Sequence, residues 1–267
     1  MLTNVSSWRR ISINEFSAAH VLWKMRRILS ALALLAYPLA AQVYTEPPLL
    51  IHLVRGQHGP PYEQAQAAVN VIAMSSLTGP PEFWRIAMHP SFASVEETNE
   101  AIRRAVNGRT SDIEQLSPDL FGDSRSLIAV YRPGLSYRSD QAIRMFAKAR
   151  YYYVSVHRVR LGAGGDFGAS LRVRREGLDV MNLDRPDLAY QVVAGAPTGT
   201  YVLLAPMLSL GTLDDGLAKR AYQADQGTNK SESELFRSHL LFRVEPTWSY
   251  VSDEFAAEAN EFWRPKR

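Results

Sequence analysis

Ser136-Tyr137-Arg138-Ser139-Asp140 and Ser249-Tyr250-Val251-Ser252-Asp253 share the pattern Ser-Tyr-x-Ser-Asp, and they lie 113 residues apart. At the same offset, Leu127 matches Leu240. Each match is weak by itself, but a common order of matches along a chain indicates a duplicated unit. We therefore interpret the sequence as two copies of one unit.

Further matches lie upstream of these two segments. His52-Leu53-Val54-Arg55 and His157-Arg158-Val159-Arg160 share His-x-Val-Arg at an offset of 105. Trp84 matches Tyr201 at an offset of 117, because the second copy has a longer segment near 168–187. The two copies can therefore be interpreted together, which strengthens each prediction of a strand or helix.

Apolar, β-branched and aromatic runs bounded by Gly and Pro predict four strands in each copy. Polar loops are expected at about 108–122 and 224–233. The predicted strands are 49–55, 71–78, 82–88 and 125–132 in the first copy, and 151–160, 188–194, 200–205 and 238–245 in the second. The predicted helices are 62–70, one from Ser91 and one from Ser139 in the first copy, and 167–181, one from Ser209 or Thr212 and one from Ser252 in the second.

The order of these elements is β-α-β-β-α-β with an added helix, which is that of a ferredoxin-like unit. Its antiparallel sheet carries helices on one face, and the other face is apolar enough to need a cover. The second copy can supply that cover. The sequence therefore predicts an α+β fold of two tandem ferredoxin-like units, 42–149 and 150–267, packed sheet to sheet as an intramolecular barrel.

This arrangement resembles the dimeric α+β barrel superfamily, which includes small monooxygenase-like, EthD-like and NIPSNAP-like proteins. The resemblance covers about 49–263 and depends on the element order and on Thr78-Gly79-Pro80-Pro81-Glu82-Phe83-Trp84. It implies that one chain mimics the dimer of single-copy members. It also implies a small-molecule or haem pocket between the sheets, without naming a ligand, and the superfamily hosts unrelated activities.

Residues 1–41 have the layout of an upstream extension followed by a secretory signal peptide. Arg26-Arg27 precedes the short apolar stretch 28–36, and small residues lead to a cleavage site after Ala41. We expect Met25 to be the true start. The alternative is a buried helix of the fold. The stretch is too short to span a bilayer, so we expect a periplasmic or secreted protein with no stable membrane anchor after cleavage.

Charge and composition exclude several classes of function. Removing a leader of net charge +4 from a chain of +3 leaves −1. A near-neutral protein lacks the positive electrostatic potential that attracts the phosphate backbone of nucleic acids. Nucleic acid is therefore not an expected partner. The absence of cysteine excludes disulfides, zinc-thiolate sites, iron–sulfur clusters and a thiol nucleophile.

His52 and His157 are candidate ligand-binding residues because both fall on predicted first strands. Two imidazoles in one sheet core could bind a metal or haem, or transfer a proton. The other interpretation is two half-buried structural histidines that match because the strand was duplicated. No carboxylate lies at a spacing that completes a metal triad, so no metal site is predicted, and the cofactor stays unknown.

Two repeat-related aromatic pairs, Tyr137 with Tyr250 and Trp84 with Tyr201, could line a pocket between the sheets. Their alternative role is core packing with a hydrogen-bonded hydroxyl. The serines and aspartates of Ser-Tyr-x-Ser-Asp are interpreted as helix caps, since no repeated histidine lies nearby to activate a nucleophile.

Arg55 and Arg160 follow the histidines by three residues and should therefore point to the opposite face. They could clamp an anion, or cap a strand end or pair with a carboxylate. The segment Gly162-Ala163-Gly164-Gly165 lacks the spacing of a phosphate loop and is predicted to be a turn.

The sequence favours an exported, non-catalytic binding or interaction protein, a monomer or homodimer, that could hold a small apolar ligand between its sheets. The alternative is a haem-dependent or cofactor-free monooxygenase-like enzyme that uses the same pocket. A third interpretation is a structural remnant whose pocket is filled by side chains. No catalytic residue is predicted.

Overall fold

The computed structural model describes residues 46–56, 69–107, 125–219 and 233–265. The predicted leader, residues 62–68 of the predicted helix 62–70, and most of the two polar loops lie outside these residues. The first half contains β1 (Leu50–Gly56), β2 (Val71–Ser76), β3 (Phe83–His89), α1 (Phe92–Asn107), β4 (Arg125–Tyr131) and α2 (Ser139–Phe146). The second contains β5 (Tyr151–Val159), α3 (Gly164–Val180), β6 (Leu188–Ala194), β7 (Thr200–Met207), α4 (Asp214–Ala218), β8 (Glu234–Val244), α5 (Asp253–Ala257) and α6 (Asn260–Trp263).

The eight strands form one closed antiparallel barrel in the order β1-β3-β2-β8-β5-β7-β6-β4. Within each half the order is that of a ferredoxin-like sheet, β4-β1-β3-β2 in the first and β8-β5-β7-β6 in the second. The halves join where β2 pairs with β8 and where β4 pairs with β6. The predicted α+β fold of two ferredoxin-like units that close a shared barrel is therefore confirmed. The limits 42–149 and 150–267 stay predictions.

Alternate residues of each strand fill the barrel with one apolar core. Ile51 and Leu53 of β1 are almost fully buried there, as are Tyr152 and Val154 of β5. Residues of α2, α5 and α6 belong to the same cluster, so these helices close the barrel end at which β4 and β8 finish. Among the described residues, no helix is long and apolar enough to cross a membrane.

The repeated Ser-Tyr-x-Ser-Asp segments hold the halves together reciprocally. The Ser136 hydroxyl accepts from the backbone N–H of Ala189 in the other half at 2.9 Å, and it donates to the Arg132 carbonyl at 3.0 Å. Ser249 does the same, accepting from Ala73 N–H at 2.9 Å and donating to the Glu245 carbonyl at 2.8 Å. We name these contacts the two clasps.

Capping explains only part of the motif. Ser252 is the N-cap of α5, where its hydroxyl accepts from the backbone N–H of Phe255 at 3.1 Å. Ser139 is not an N-cap. The N-cap of α2 is Arg138, which takes a left-handed backbone conformation and makes no side-chain cap. The expected cap at Ser139 was wrong because the helix begins one residue earlier than a cap there requires.

The strand pairing also corrects the register of the repeat. The clasps make Ala73 equivalent to Ala189, and pairing from there makes Val54 equivalent to Ser155. His52 is therefore equivalent to Tyr153 and not to His157. The match His-x-Val-Arg was wrong by four residues, because similar letters were aligned without the pairing that fixes which face each residue occupies.

Candidate functional site

The interior of the barrel is densely packed over most of its length. The Trp84 and Phe242 rings lie 4.7 Å apart, and Phe146 meets Tyr152 edge-on at 5.4 Å. The Tyr152 hydroxyl has no hydrogen-bond partner among the described residues, and its complete burial raises its pKa. Side chains thus occupy the middle of the barrel, and among the described residues a charged cluster lies at the end where β1 finishes.

That end carries two arginines that face each other across neighbouring strands. Arg55 of β1 is directly opposite Arg125 of β4 on one side and Trp84 of β3 on the other. Both arginines alternate with core residues, so their side chains leave the strands toward the barrel interior. Like charges opposite each other on a sheet destabilise it unless a counter-charge lies between them.

Glu82 supplies the counter-charge. Arg55 Nε donates to Glu82 Oε2 at 3.0 Å, Arg55 Nη2 donates to Oε1, and Trp84 Nε1 donates to Oε2 at 2.8 Å. Burial alone would raise the pKa of Glu82. The hydrogen bonds from Arg55 and Trp84 and the charges of Arg55 and Arg125 outweigh burial and lower it. The carboxylate is therefore ionised at neutral pH.

Apolar side chains line the same end of the barrel. Leu127, Val156 and Leu240 are only partly buried, and each packs on the core cluster below. The Arg55 guanidinium lies 5.5 Å from the Trp84 ring centre, within the range of a cation–π contact. We name this region, Arg55, Glu82, Trp84 and Arg125 with Leu127, Val156 and Leu240, the barrel mouth.

The predicted site residues do not surround one space. Trp84 points into the barrel, whereas Tyr201 belongs to the outer cluster beneath α3, so these two were wrongly paired. Trp84 is instead equivalent to Val202. His52 and His157 alternate with the interior residues of β1 and β5 and lie on the outer face. Because β1 and β5 are opposite strands of the barrel, the expected meeting of two histidines in one core was wrong.

Two of the predicted residues do come together. His157 is directly opposite Tyr201, and the Phe167 ring of α3 contacts both, at 5.2 Å and 4.7 Å between ring centres.

His52 lies near His89, which is fully buried. Burial, and secondarily the charge of His52, lowers the pKa of His89 to about 4. Burial also lowers the pKa of His52.

Tyr137 and Tyr250 occupy equivalent places beside the clasps, with different surroundings. Tyr137 is buried, and its hydroxyl bonds Asp179. Burial and that hydrogen bond raise the pKa of Tyr137 to about 12. Tyr250 is 41% exposed. The structure places neither of them at the barrel mouth.

Arg55 points away from the face of His52, as predicted, and pairs with a carboxylate. Sequence reasoning did not include Glu82 or Arg125 among the candidates. Glu82 stands two residues before Trp84, a spacing that places both on one face of a strand. Arg125 could not be found in this way, because it meets Arg55 only through the register of β1 with β4.

No protein-family model matches this chain, and no curated protein matches it. A proposed monooxygenase from Fusobacterium nucleatum subsp. nucleatum has 10% identity and a TM-score of 0.47, covering 75% of this chain and 94% of that protein. An anthrone oxidase-like protein has 10% identity and a TM-score of 0.46, covering 79% and 96%. A proposed monooxygenase from Lactobacillus acidophilus has 5% identity and a TM-score of 0.40, covering 77% and 100%. The likeness is one of fold, and no activity is transferred from it.

Proposed function

We propose that the protein is an exported binding protein that takes a small amphipathic anion at the barrel mouth, between its two sheets. One observation carries the proposal: Arg55 and Arg125 are directly opposite each other at the mouth, and Glu82, which pairs with Arg55, is the one carboxylate among the residues named there. Among the described residues of the barrel mouth, two positive charges therefore stand against one negative charge. A bound carboxylate would balance the excess positive charge.

The geometry favours an anion with an apolar tail. Arginine binds carboxylates through paired N–H donors, and Arg125 is exposed to an approaching ligand. The partly exposed side chains of Leu127, Val156 and Leu240 offer apolar surface next to that charge. Because the barrel below is packed, we expect the tail to lie across the mouth rather than deep inside.

Decanoate is the probe for this proposal, with decanol as its neutral partner. We expect decanoate to bind and to change the fluorescence of Trp84, and decanol to bind at least tenfold more weakly. Arg125→Ala should weaken decanoate binding by roughly ten- to a hundredfold, because a hydrogen bond to a charged group contributes about 1.5–3 kcal/mol. Isothermal titration calorimetry measures both ligands.

The matched control is Arg144→Ala, which removes an exposed arginine of α2 that pairs with Asp140. Decanoate affinity should be unchanged in this variant. Equal binding of decanoate and decanol, or the same loss in Arg144→Ala as in Arg125→Ala, would contradict an anion site at the mouth.

Export is a separate part of the proposal and is supported by the leader-like sequence of residues 1–41. The full chain carrying a C-terminal tag should be recovered outside the cytoplasm, with Gln42 as its first residue. Cell fractionation and N-terminal sequencing test this expectation. An intact N-terminus on protein retained in the cytoplasm would contradict it.

The barrel supports a monomer as the working unit. Each of the eight described strands already has two neighbours, so edge pairing between copies is not needed to complete the sheet. Analytical ultracentrifugation should show one chain per particle. The monooxygenase-like alternative stays a prediction, since no contact described at the barrel mouth favours oxygen chemistry over binding.

A further inference from the structure

A row of polar side chains crosses the outer face of β5 and β8 in the second half. Ser155 is directly opposite His239, and His157 is directly opposite Arg237. Ser155 and His157 are only 3% and 6% exposed. With Glu234 at the start of β8, these residues form what we name the outer row. It lies on the other side of the sheet from the barrel mouth.

Hydrogen bonds organise the outer row into a group of three residues and a pair. His157 Nδ1 lies 2.5 Å from Glu234 Oε1, and Arg237 Nε donates to the two oxygens of the same carboxylate at 3.1 and 3.0 Å. Ser155 Oγ lies 2.9 Å from His239 Nδ1. The row therefore contains one imidazole held by a carboxylate and one held by a hydroxyl.

The charge state of Glu234 fixes the tautomer of neutral His157. Burial would raise the pKa of Glu234, but the hydrogen bonds from His157 and Arg237 lower it to about 2. An ionised carboxylate can only accept hydrogen bonds, so Nδ1 of His157 must carry the proton. The lone pair of neutral His157 is consequently on Nε2, where it can accept a proton.

Aromatic rings border the outer row. Phe167 lies 5.2 Å from the His157 ring, and Tyr201 continues this wall beyond Phe167. On the other side, Tyr153 stacks on His239 with their ring centres 5.4 Å apart and an angle of 22° between the planes. Flat aromatic surface beside two imidazoles suits a planar, weakly acidic organic molecule.

The first half shows that the fold does not require the outer row. The strand pairing makes Ser155, His157 and His239 equivalent to Val54, Gly56 and Ser126. The same sheet position therefore forms with no imidazole or carboxylate at those three places. Burying an ionised carboxylate beside an imidazole costs desolvation energy, so its presence in one half alone calls for a reason other than folding.

We propose that the outer row is a proton-transfer site for a small planar carbonyl compound, with His157 as the base and Glu234 as its positioning residue. A C–H proton next to the ligand's carbonyl moves to Nε2 of His157, and the electron pair of the broken bond remains on the ligand as an enolate. A proton then returns to the enolate oxygen or carbon. The net change is tautomerisation or hydrogen exchange, which consumes no oxidant or second substrate.

Glu234 and Arg237 have complementary parts in this step. The carboxylate stays ionised and stabilises the imidazolium that forms, while the guanidinium of Arg237 bonds the same carboxylate and holds it in place beside His157. Arg237 is one-quarter exposed, and His239 is exposed, so a ligand approaches from the side of β8.

Phenylpyruvate in D2O tests the proposal, because exchange of its benzylic protons is visible by NMR. The native full-length protein should accelerate the exchange above the buffer rate in a saturable manner. His157→Gln and Glu234→Gln should each lower the acceleration roughly a hundredfold, the scale of general base catalysis. Arg144→Ala, which removes an exposed arginine of α2 that pairs with Asp140, is the matched control and should keep the native rate.

A second measurement does not depend on the folding of a variant. The ring nitrogen signals of His157 in the native protein, assigned through its own ring protons and backbone, should shift when phenylpyruvate is added. Unchanged ring signals together with exchange at the buffer rate would overturn the proposal. Exchange that survives in folded His157→Gln, or that is lost in Arg144→Ala, would also overturn it, whereas loss of decanoate binding alone would affect only the barrel mouth.

Discussion

The two halves follow one chain path but place their main polar clusters, the barrel mouth and the outer row, on opposite faces of their sheets. At the barrel mouth the first half has charged and aromatic side chains, namely Arg55, Trp84 and Arg125. The equivalent residues of the second half are small and neutral: Val156, Val202 and Ser238, in the same order. On the outer face the second half has the polar cluster, which includes Ser155, His157 and His239. The equivalent residues of the first half are Val54, Gly56 and Ser126, in the same order.

This reciprocal difference separates what the fold needs from what it only carries. Features present in both halves, the strand order and the clasps, build the barrel. Features present in one half cannot be needed for the barrel, because the other half forms without them. The barrel mouth and the outer row belong to this second group, so we interpret each as a site acquired by one half after the duplication.

The largest contrast in stability is expected at two equivalent turn glycines. Gly79 and Gly195 both have positive φ, of 78° and 86°. A Cβ at Gly195 would lie 2.0 Å from the Ser126 carbonyl oxygen, whereas a Cβ at Gly79 would meet the end of the Leu240 side chain at 3.0 Å. Backbone cannot move aside as a side-chain methyl group can.

Gly195→Ala should therefore lower the free energy of unfolding by more than about 3 kcal/mol, and Gly79→Ala by about 1–3 kcal/mol, the cost of the strained φ. Urea unfolding followed by circular dichroism measures both. Similar losses of unfolding free energy in the two variants would show that the backbone of β4 moves away from the added Cβ at residue 195. They would contradict the expected difference between the two turns.

The topology of this barrel could be predicted from sequence, whereas its sites could not. Apolar periodicity and the shared Ser-Tyr-x-Ser-Asp give the element order, because each depends on local spacing. The pairings of Arg55 with Arg125 and of Ser155 with His239 depend on which residues oppose each other across strands. Alignment of the two copies by residue identity alone was wrong by four residues at His52 and by one residue at Trp84. A shift of one residue is enough to move a side chain to the opposite face of the sheet.

Acid should destabilise the two halves in different pH ranges. The pKa of His89 is lowered to about 4, so the folded state favours neutral imidazole, and this contribution is lost as pH falls from 6.5 through 4. The lowered pKa of His52 adds to the same range. The pKa of Glu234 is lowered to about 2, so its contribution is complete above 4.5 and is lost as pH falls toward 2.

His89 and Glu234 each contribute at most about 3 kcal/mol to the pH-dependent part of the unfolding free energy. His89→Gln should flatten the dependence of unfolding free energy on pH between 6.5 and 4, and Glu234→Gln should flatten it between 4.5 and 2. Urea titrations at half-unit pH intervals measure both slopes. If either variant changes the slope of unfolding free energy in the pH range assigned to the other half, the two halves are not destabilised by acid independently.

The smallest contrast concerns the clasps, where the halves agree most closely. Ser136→Ala leaves the fully buried N–H of Ala189 without its acceptor, so we expect a loss of about 1–3 kcal/mol. Ser249→Ala removes the acceptor of the Ala73 N–H, but Ser249 is only half-buried and water can reach the site, so we expect about 0.5–1.5 kcal/mol. Each serine joins one half to the other, so the two losses should add in the double variant only if the joints open independently. Destabilisation of the double variant well below the sum would show that breaking one clasp already releases the other, and that the barrel opens as a single unit.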